Sequence, residues 1–153
     1  VSISEMRLIG LLLGLGILVA AVVAQGKSDV PFQVMERGVN SGEREQGLKV
    51  IRTEKAFKEY LKDRGEDTLP KAFKDIDWSK DQIVVVFGGE QPSGGYGVEV
   101  KKINKLDVQR LEIEAQLIRP RPNTIVTQAL TTPYIMIKMA RQVAVIRVRF
   151  ILD

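Results

Sequence analysis

The stretch Ile83–Val100, IVVVFGGEQPSGGYGVEV, decides how this chain is read. Ile83 to Phe87 are all apolar and mostly β-branched, the pattern of a strand covered on both faces. A Gly- and Pro-rich turn follows, Gly88 to Gly95. Then Tyr96, Val98 and Val100 alternate with Gly97 and Glu99, as in a half-buried strand. The whole segment reads as a β-hairpin with a glycine-laden tip. Glycine lets a backbone approach a partner closely, and binding residues concentrate on loops held by a rigid scaffold. Ser93, Gly94, Gly95 and Tyr96 are therefore candidate contact residues. The plainer role for the same run is a tight turn with positive φ at its glycines and Tyr96 packed at the sheet edge.

Downstream, Arg110 to Ile118 alternates with Leu111, Ile113, Ala115 and Leu117 inward. Arg119-Pro120-Arg121-Pro122-Asn123 is a polyproline-like loop that cannot continue a ladder. Ile125–Ala129 and Pro133–Ala140 read as further strands. Gln142–Leu152 closes the chain with Ala144, Ile146, Val148, Phe150 and Leu152 on one face. Upstream, Val30–Val39 contains a strand ending at Gly38, Val39–Gly47 is a polar turn, and Leu48–Ile51 is a short strand. Thr53 is a good N-cap for a helix over Glu54–Arg64, with Ala56, Phe57, Tyr60, Leu61 and Arg64 on one face and Gly65 as its terminator. Short connections between successive strands argue for antiparallel pairing. The expected fold is α+β, mostly β: a strongly bent antiparallel sheet or partial barrel covered by one helix.

At 153 residues the chain has room for one domain, placed at 25–153. The absence of both Cys and His excludes triads, thiol centres and zinc sites built on those residues. Carboxylates remain, but Glu90 and Glu99 bracket the glycine run with no sign that they converge. The expectation is a protein that is not an enzyme and uses no cofactor and no metal. A net charge of +4 falls short of a nucleic-acid footprint. Lys138, Arg141, Arg147 and Arg149 concentrate positive charge near the C-terminus; a solvated sheet face explains them, as would a patch for an acidic partner.

Leu8 to Ala24 is an almost unbroken apolar run preceded by Arg7 and followed by polar residues. Val22 and Ala24 suit the −3 and −1 positions of a signal-peptidase site, and translation from Met6 would give a short positive n-region. Residues 1–24 are read as a signal peptide, the alternative being an uncleaved anchor at the lower edge of bilayer-spanning length. No Cys is present to carry a lipid. Either form puts the folded part outside the cytoplasm, with membrane contact only if the segment is retained.

Four pieces of the chain stand out together: Asp77-Trp78-Ser79-Lys80 leading into Ile83–Phe87, Gly89–Tyr96 followed by Val98-Glu99-Val100, Val126–Thr131, and Thr132–Lys138. In order and spacing they resemble the PrcB C-terminal domain family of exported bacterial proteins. Together they span about 77–140. The family is named for a lipoprotein subunit of a surface protease complex, so the resemblance implies an exported, non-catalytic binding role. The partner it implies is another exported protein, in its specific form a secreted or surface protease that the domain stabilises.

Thr127, Gln128 and Tyr134 join the glycine run as candidate binding residues if the two segments share one end of the sheet. Without a partner, Gln128 and the threonine hydroxyls would satisfy backbone groups in a bent connection. Asp77 is read as ordering the entry to the central strand, with Trp78 filling the core. Two other roles fit the sequence: a small protease-inhibitor-like domain acting through the Gly-rich loop, as in chagasin-like proteins, and a structural cell-envelope module.

Overall fold

The computed structural model describes residues 28–152; the segment read as signal peptide or anchor lies outside them. Eight strands run in chain order: β1 (Ser28–Asp29), β2 (Phe32–Gly38), β3 (Gln46–Ile51), β4 (Asp81–Gly88), β5 (Gly97–Lys105), β6 (Arg110–Ile118), β7 (Tyr134–Ala140) and β8 (Val145–Ile151). One helix, α1 (Glu54–Asp63), and a 3₁₀ turn at Lys71–Phe73 lie between β3 and β4. The α+β, mostly-β class therefore holds.

The strands form two sheets and no closed barrel. A central sheet has the order β2-β7-β4-β3, and an outer sheet the order β1-β5-β6-β8. Side-chain alternation on β4 explains the layering. Ile83, Val85 and Phe87 pack with Phe57, Tyr60 and Leu61 of α1. Val84 and Val86 pack with Val98, Ile103, Ile113 and Ala115 of the outer sheet. β7 divides in the same way, Tyr134 and Met136 toward the helix and Ile135, Ile137 and Met139 toward the outer sheet. A strand sandwiched like this must be apolar throughout, as Ile83–Phe87 is.

Three expectations fail here. The Ile83–Val100 segment is not a hairpin, because β4 pairs with β3 and β7 while β5 pairs with β1 and β6. Its glycine loop instead carries the chain from one sheet to the other. Gly88 sits where the layers meet: a Cβ there would lie 2.7 Å from Val98 Cγ2 and 3.1 Å from both Leu117 and Pro133. Nor is every pairing antiparallel, since β6 and β8 run parallel. Between them the chain crosses to the central sheet as β7, so the return strand re-enters beside β6 in the same direction. Ile125–Ala129 forms no strand either; Ile125 is fully exposed, and Asn123 turns the chain with φ 63°.

The helix is as read. Thr53 Oγ1 accepts the Ala56 N–H at 3.1 Å, and Gly65 (φ 77°) follows the Arg64 cap. Asp77 Oδ1 accepts the Ser79 N–H at 3.0 Å and the Ser79 hydroxyl at 2.5 Å. These bonds hold the Asp77 carboxyl below its ordinary pKa. Trp78 packs against the helix-side core, its ring 5.7 Å from that of Phe57. The charged outer face of the outer sheet is tied by Arg149 to Glu112 at 3.2 Å and to Glu114 at 2.5 Å.

Truncation in the twice-covered strand should cost far more than loss of a cap. Ile137→Ala is expected to lower stability by about 2–5 kcal/mol. Thr53→Ala should cost about 1 kcal/mol. Urea unfolding of both variants checks the ranking, and similar losses would contradict the layered core.

Candidate functional site

The glycine loop and the 119–133 connection pack against each other at one end of the molecule. Gln91 and Thr131 exchange backbone hydrogen bonds of 2.8 and 3.0 Å. The Thr131 hydroxyl donates to the Ser93 carbonyl at 2.8 Å, and the Gly94 N–H donates to the Thr127 carbonyl at 2.9 Å. A Cβ on Gly94 would stand 2.4 Å from Thr127 Oγ1. Gly95 needs its positive φ of 82°, and a Cβ there would meet Pro120 at 2.7 Å and Val126 at 2.9 Å. On the other side, Thr132 bridges to Asn40, and the Ser41 N–H donates to the Thr132 carbonyl at 2.9 Å.

Of the residues singled out from the sequence, Ser93, Gly94, Gly95 and Thr127 thus come together. Gln128 stands apart, exposed, its amide reaching only the Val126 carbonyl at 3.5 Å. Tyr96 is half-buried beside a groove of about 320 Å³, lined by Arg37, Gly38 and Val39, by Gly95 to Glu99, and by Ile118 and Tyr134. Two strand edges border this groove. β2 is the edge of the central sheet, and among the described residues β5 has no strand partner beyond Asn104 and Lys105 on its β1 side. The cause is local. The Val30 N–H still donates to the Ile103 carbonyl at 2.8 Å. At Pro31 the chain leaves this ladder and moves to the central sheet as β2.

Tyr134 meets the groove from behind. Its side chain turns to the helix layer, crossing Gly38 so closely that a Cβ on Gly38 would lie 2.4 Å from the ring. The Tyr134 hydroxyl donates to Glu36 and accepts from Arg64. Arg64 also pairs with Glu36 at 3.5 Å and Glu66 at 2.9 Å, and its guanidinium lies 4.5 Å from the Tyr134 ring centroid. A bulge at Met35 makes this possible: Val34 pairs with Ile137 and Glu36 with Met136, so Glu36 shares the helix-side face. Burial, reinforced by Glu36, pushes the Tyr134 hydroxyl well above the ordinary tyrosine pKa, with Arg64 opposing. Burial raises Tyr60 as well.

Residues 82–140 match the PrcB C-terminal family. The match runs from β4 to β7 and so contains both packed loops, β5 and β6. The resemblance read from the four sequence motifs holds over this segment. No curated protein and no solved structure gives a significant match to the chain. The matched segment supplies one wall of the groove, Gly95–Glu99 and Ile118, whereas Arg37, Gly38 and Val39 lie before it.

Those three residues, with Glu36 and Arg64, were missed by sequence reasoning. The one available signal was Gly38 closing a strand, since a glycine facing a large ring across a ladder leaves space for it. Chemically, the groove offers unpaired main-chain donors and acceptors beside an aromatic ring, the elements that an extended peptide uses to add to a sheet edge. The two carboxylates near the loop have separate cations: Glu90 pairs with Arg44 at 3.5 Å and Glu99 with Lys101 at 2.9 Å.

Two variants test this construction. Gly94→Ala should cost about 1–3 kcal/mol by forcing the 119–133 connection outward, read as a lower urea midpoint. Tyr134→Phe should cost about 1–3 kcal/mol at pH 7, because Glu36 and Arg64 lose their shared hydroxyl. A raised tyrosine pKa contributes stability that is intact below the unfolded value of 10.0 and lost as pH rises beyond it. The deficit of Tyr134→Phe should therefore shrink between pH 7 and pH 11 in parallel urea titrations, and a constant deficit would contradict the network.

Proposed function

We propose that this chain is an exported, non-catalytic domain that binds another exported protein, and that the partner is a secreted or surface protease which the domain stabilises. The observation that carries the reading is the groove between the open edges of β2 and β5, with Tyr96 half-buried beside it. An edge that is unpaired, flanked by a rigid loop and fronted by an aromatic side chain suits an extended segment of a partner. The PrcB C-terminal match supports the same role, since it includes the loop and one wall of the groove. Export is supported by the apolar run Leu8–Ala24 with its small residues at Val22 and Ala24. Among the described residues no helix is long and apolar enough to cross a membrane.

Affinity capture from an envelope extract tests the proposal, using the full chain beside Tyr96→Ala and Val39→Asp. Val39 is exposed at the groove mouth, so neither change should unfold the protein. Both variants are expected to recover the same partner about tenfold less well, a loss of about 1.4 kcal/mol in binding. Arg147→Gln, on the exposed face of the outer sheet, should capture it normally. Equal capture by all four proteins would remove the groove from the reading.

A further inference from the structure

At the other end of β4, away from the glycine loop, Arg52, Gln109 and Arg141–Val145 line a second groove of about 540 Å³. That size falls within the roughly 300–1,000 Å³ of ligand pockets. Two arginines dominate it, and both are held by neutral acceptors. Arg52 Nε donates to Gln82 Oε1 at 3.1 Å and its Nη2 to the Gln142 carbonyl at 3.4 Å. Arg141 Nη1 donates to the Trp78 carbonyl at 2.8 Å and to the Arg52 carbonyl at 3.3 Å.

Neither arginine has a carboxylate partner among the described residues, and the acceptors that hold them are neutral, so both charges stay uncompensated. Gln82 is fully buried, and its carbonyl is committed to Arg52 while its Nε2 has no partner. A buried amide that fixes a guanidinium costs desolvation, and the result is two neighbouring positive charges in place with donors to spare.

The remaining lining is of two kinds. Val143 is fully exposed and Val145 is 60 % exposed, an apolar surface that no described residue covers. Gln109 adds a side-chain amide with both a donor and an acceptor, and its main-chain carbonyl accepts the Val145 N–H at 2.8 Å, which ties this wall to β8. Guanidinium forks match carboxylates in a bidentate fashion. A compact, strongly hydrated anion has no use for the two valines, whereas an apolar residue ending in a carboxylate uses both features. An amide such as Gln109 pairs with a peptide backbone.

We infer that this groove binds the C-terminal carboxylate of a peptide that ends in apolar residues. The carboxylate sits against Arg52 and Arg141, the last side chain lies on Val143 and Val145, and Gln109 pairs with the backbone. The site is separate from the β2–β5 groove, so either can fail without the other.

Fluorescence polarisation of the full chain with a labelled Ser-Gly-Ser-Ala-Leu-Val peptide tests the inference. Saturable binding is expected for the free carboxylate form. Amidation of its terminus should weaken it at least tenfold, as should Arg141→Gln. Val143→Asp, at a fully exposed position, should weaken it similarly and serves if the arginine variant is unstable. No saturable binding, equal binding of the amidated peptide, or unchanged affinity in a folded Val143→Asp protein would overturn the proposal. Displacement of the peptide by inorganic phosphate at equal concentration would also overturn it, reducing the groove to a simple anion site.

Discussion

Burial of β4 and β7 on both faces is the constraint from which the rest of the architecture follows. A paired strand pointing apolar side chains to both sides needs two covers, and the fold supplies them differently. Helix α1 and the 3₁₀ turn, with Phe57, Leu61 and Phe73, cover one face; the β5-β6-β8 sheet covers the other. Each fully buried aliphatic side chain contributes about 1.5–3 kcal/mol relative to exposure. Ile83 to Val86 and Ile135 to Ile137 are all fully buried, so the paired strands concentrate that stabilisation in a narrow slab. Edges are where the structure has freedom to vary, because little of the core depends on them.

The same constraint explains the strand irregularities. β2 begins with Phe32 and Val34 toward the outer sheet but must end with a polar residue near the helix terminus. One extra residue at Met35 reverses the parity, bringing Glu36 to Arg64 and Tyr134. β5 does the same with an extra residue at Lys101, so that Val98 and Ile103 both face inward despite their odd spacing. In each case a bulge reconciles a fixed core with a charged side chain that has to stay in reach of solvent or of a counter-charge.

Much of this was legible in the sequence wherever a pattern repeats over several residues. The Leu111–Leu117 alternation, the Ala56–Leu61 helical face, the Thr53 and Gly65 boundaries and the apolar run Ile83–Phe87 all appear where the chain implied. What did not carry through is pairing. A glycine-rich connection between two strands has the same composition whether it closes a hairpin or crosses between sheets, and only the partners of β4 and β5 distinguish the two. The parallel β6–β8 pair was hidden for a related reason, since it depends on β7 lying in the other layer. Single-residue bulges leave almost no trace in a periodicity, so the turn of Glu36 toward the helix layer went unread, and Arg64, placed on the apolar face of the helix, gave no sign of the partners it meets there. At the candidate site, the contact of Gly94 with Thr127 was legible as a shared end of the sheet. The turn of Tyr134 to the far face was not.

Those same facts separate two roles that the glycine run appeared to combine. Gly88, Gly94 and Gly95 lie against Val98, Thr127 and Pro120 at distances that no side chain would allow. Their backbone is engaged with the neighbouring connection, leaving little of it free for a partner. Their small size therefore serves the join between layers. What is free is the adjacent edge, and it exists because the chain leaves the β1–β5 ladder after Val30 and crosses to the central sheet. The loop then acts on the groove indirectly, by fixing where Gly97 begins its strand and where Tyr96 stands. β5 therefore keeps, where β1 leaves off, main-chain groups that no described strand pairs.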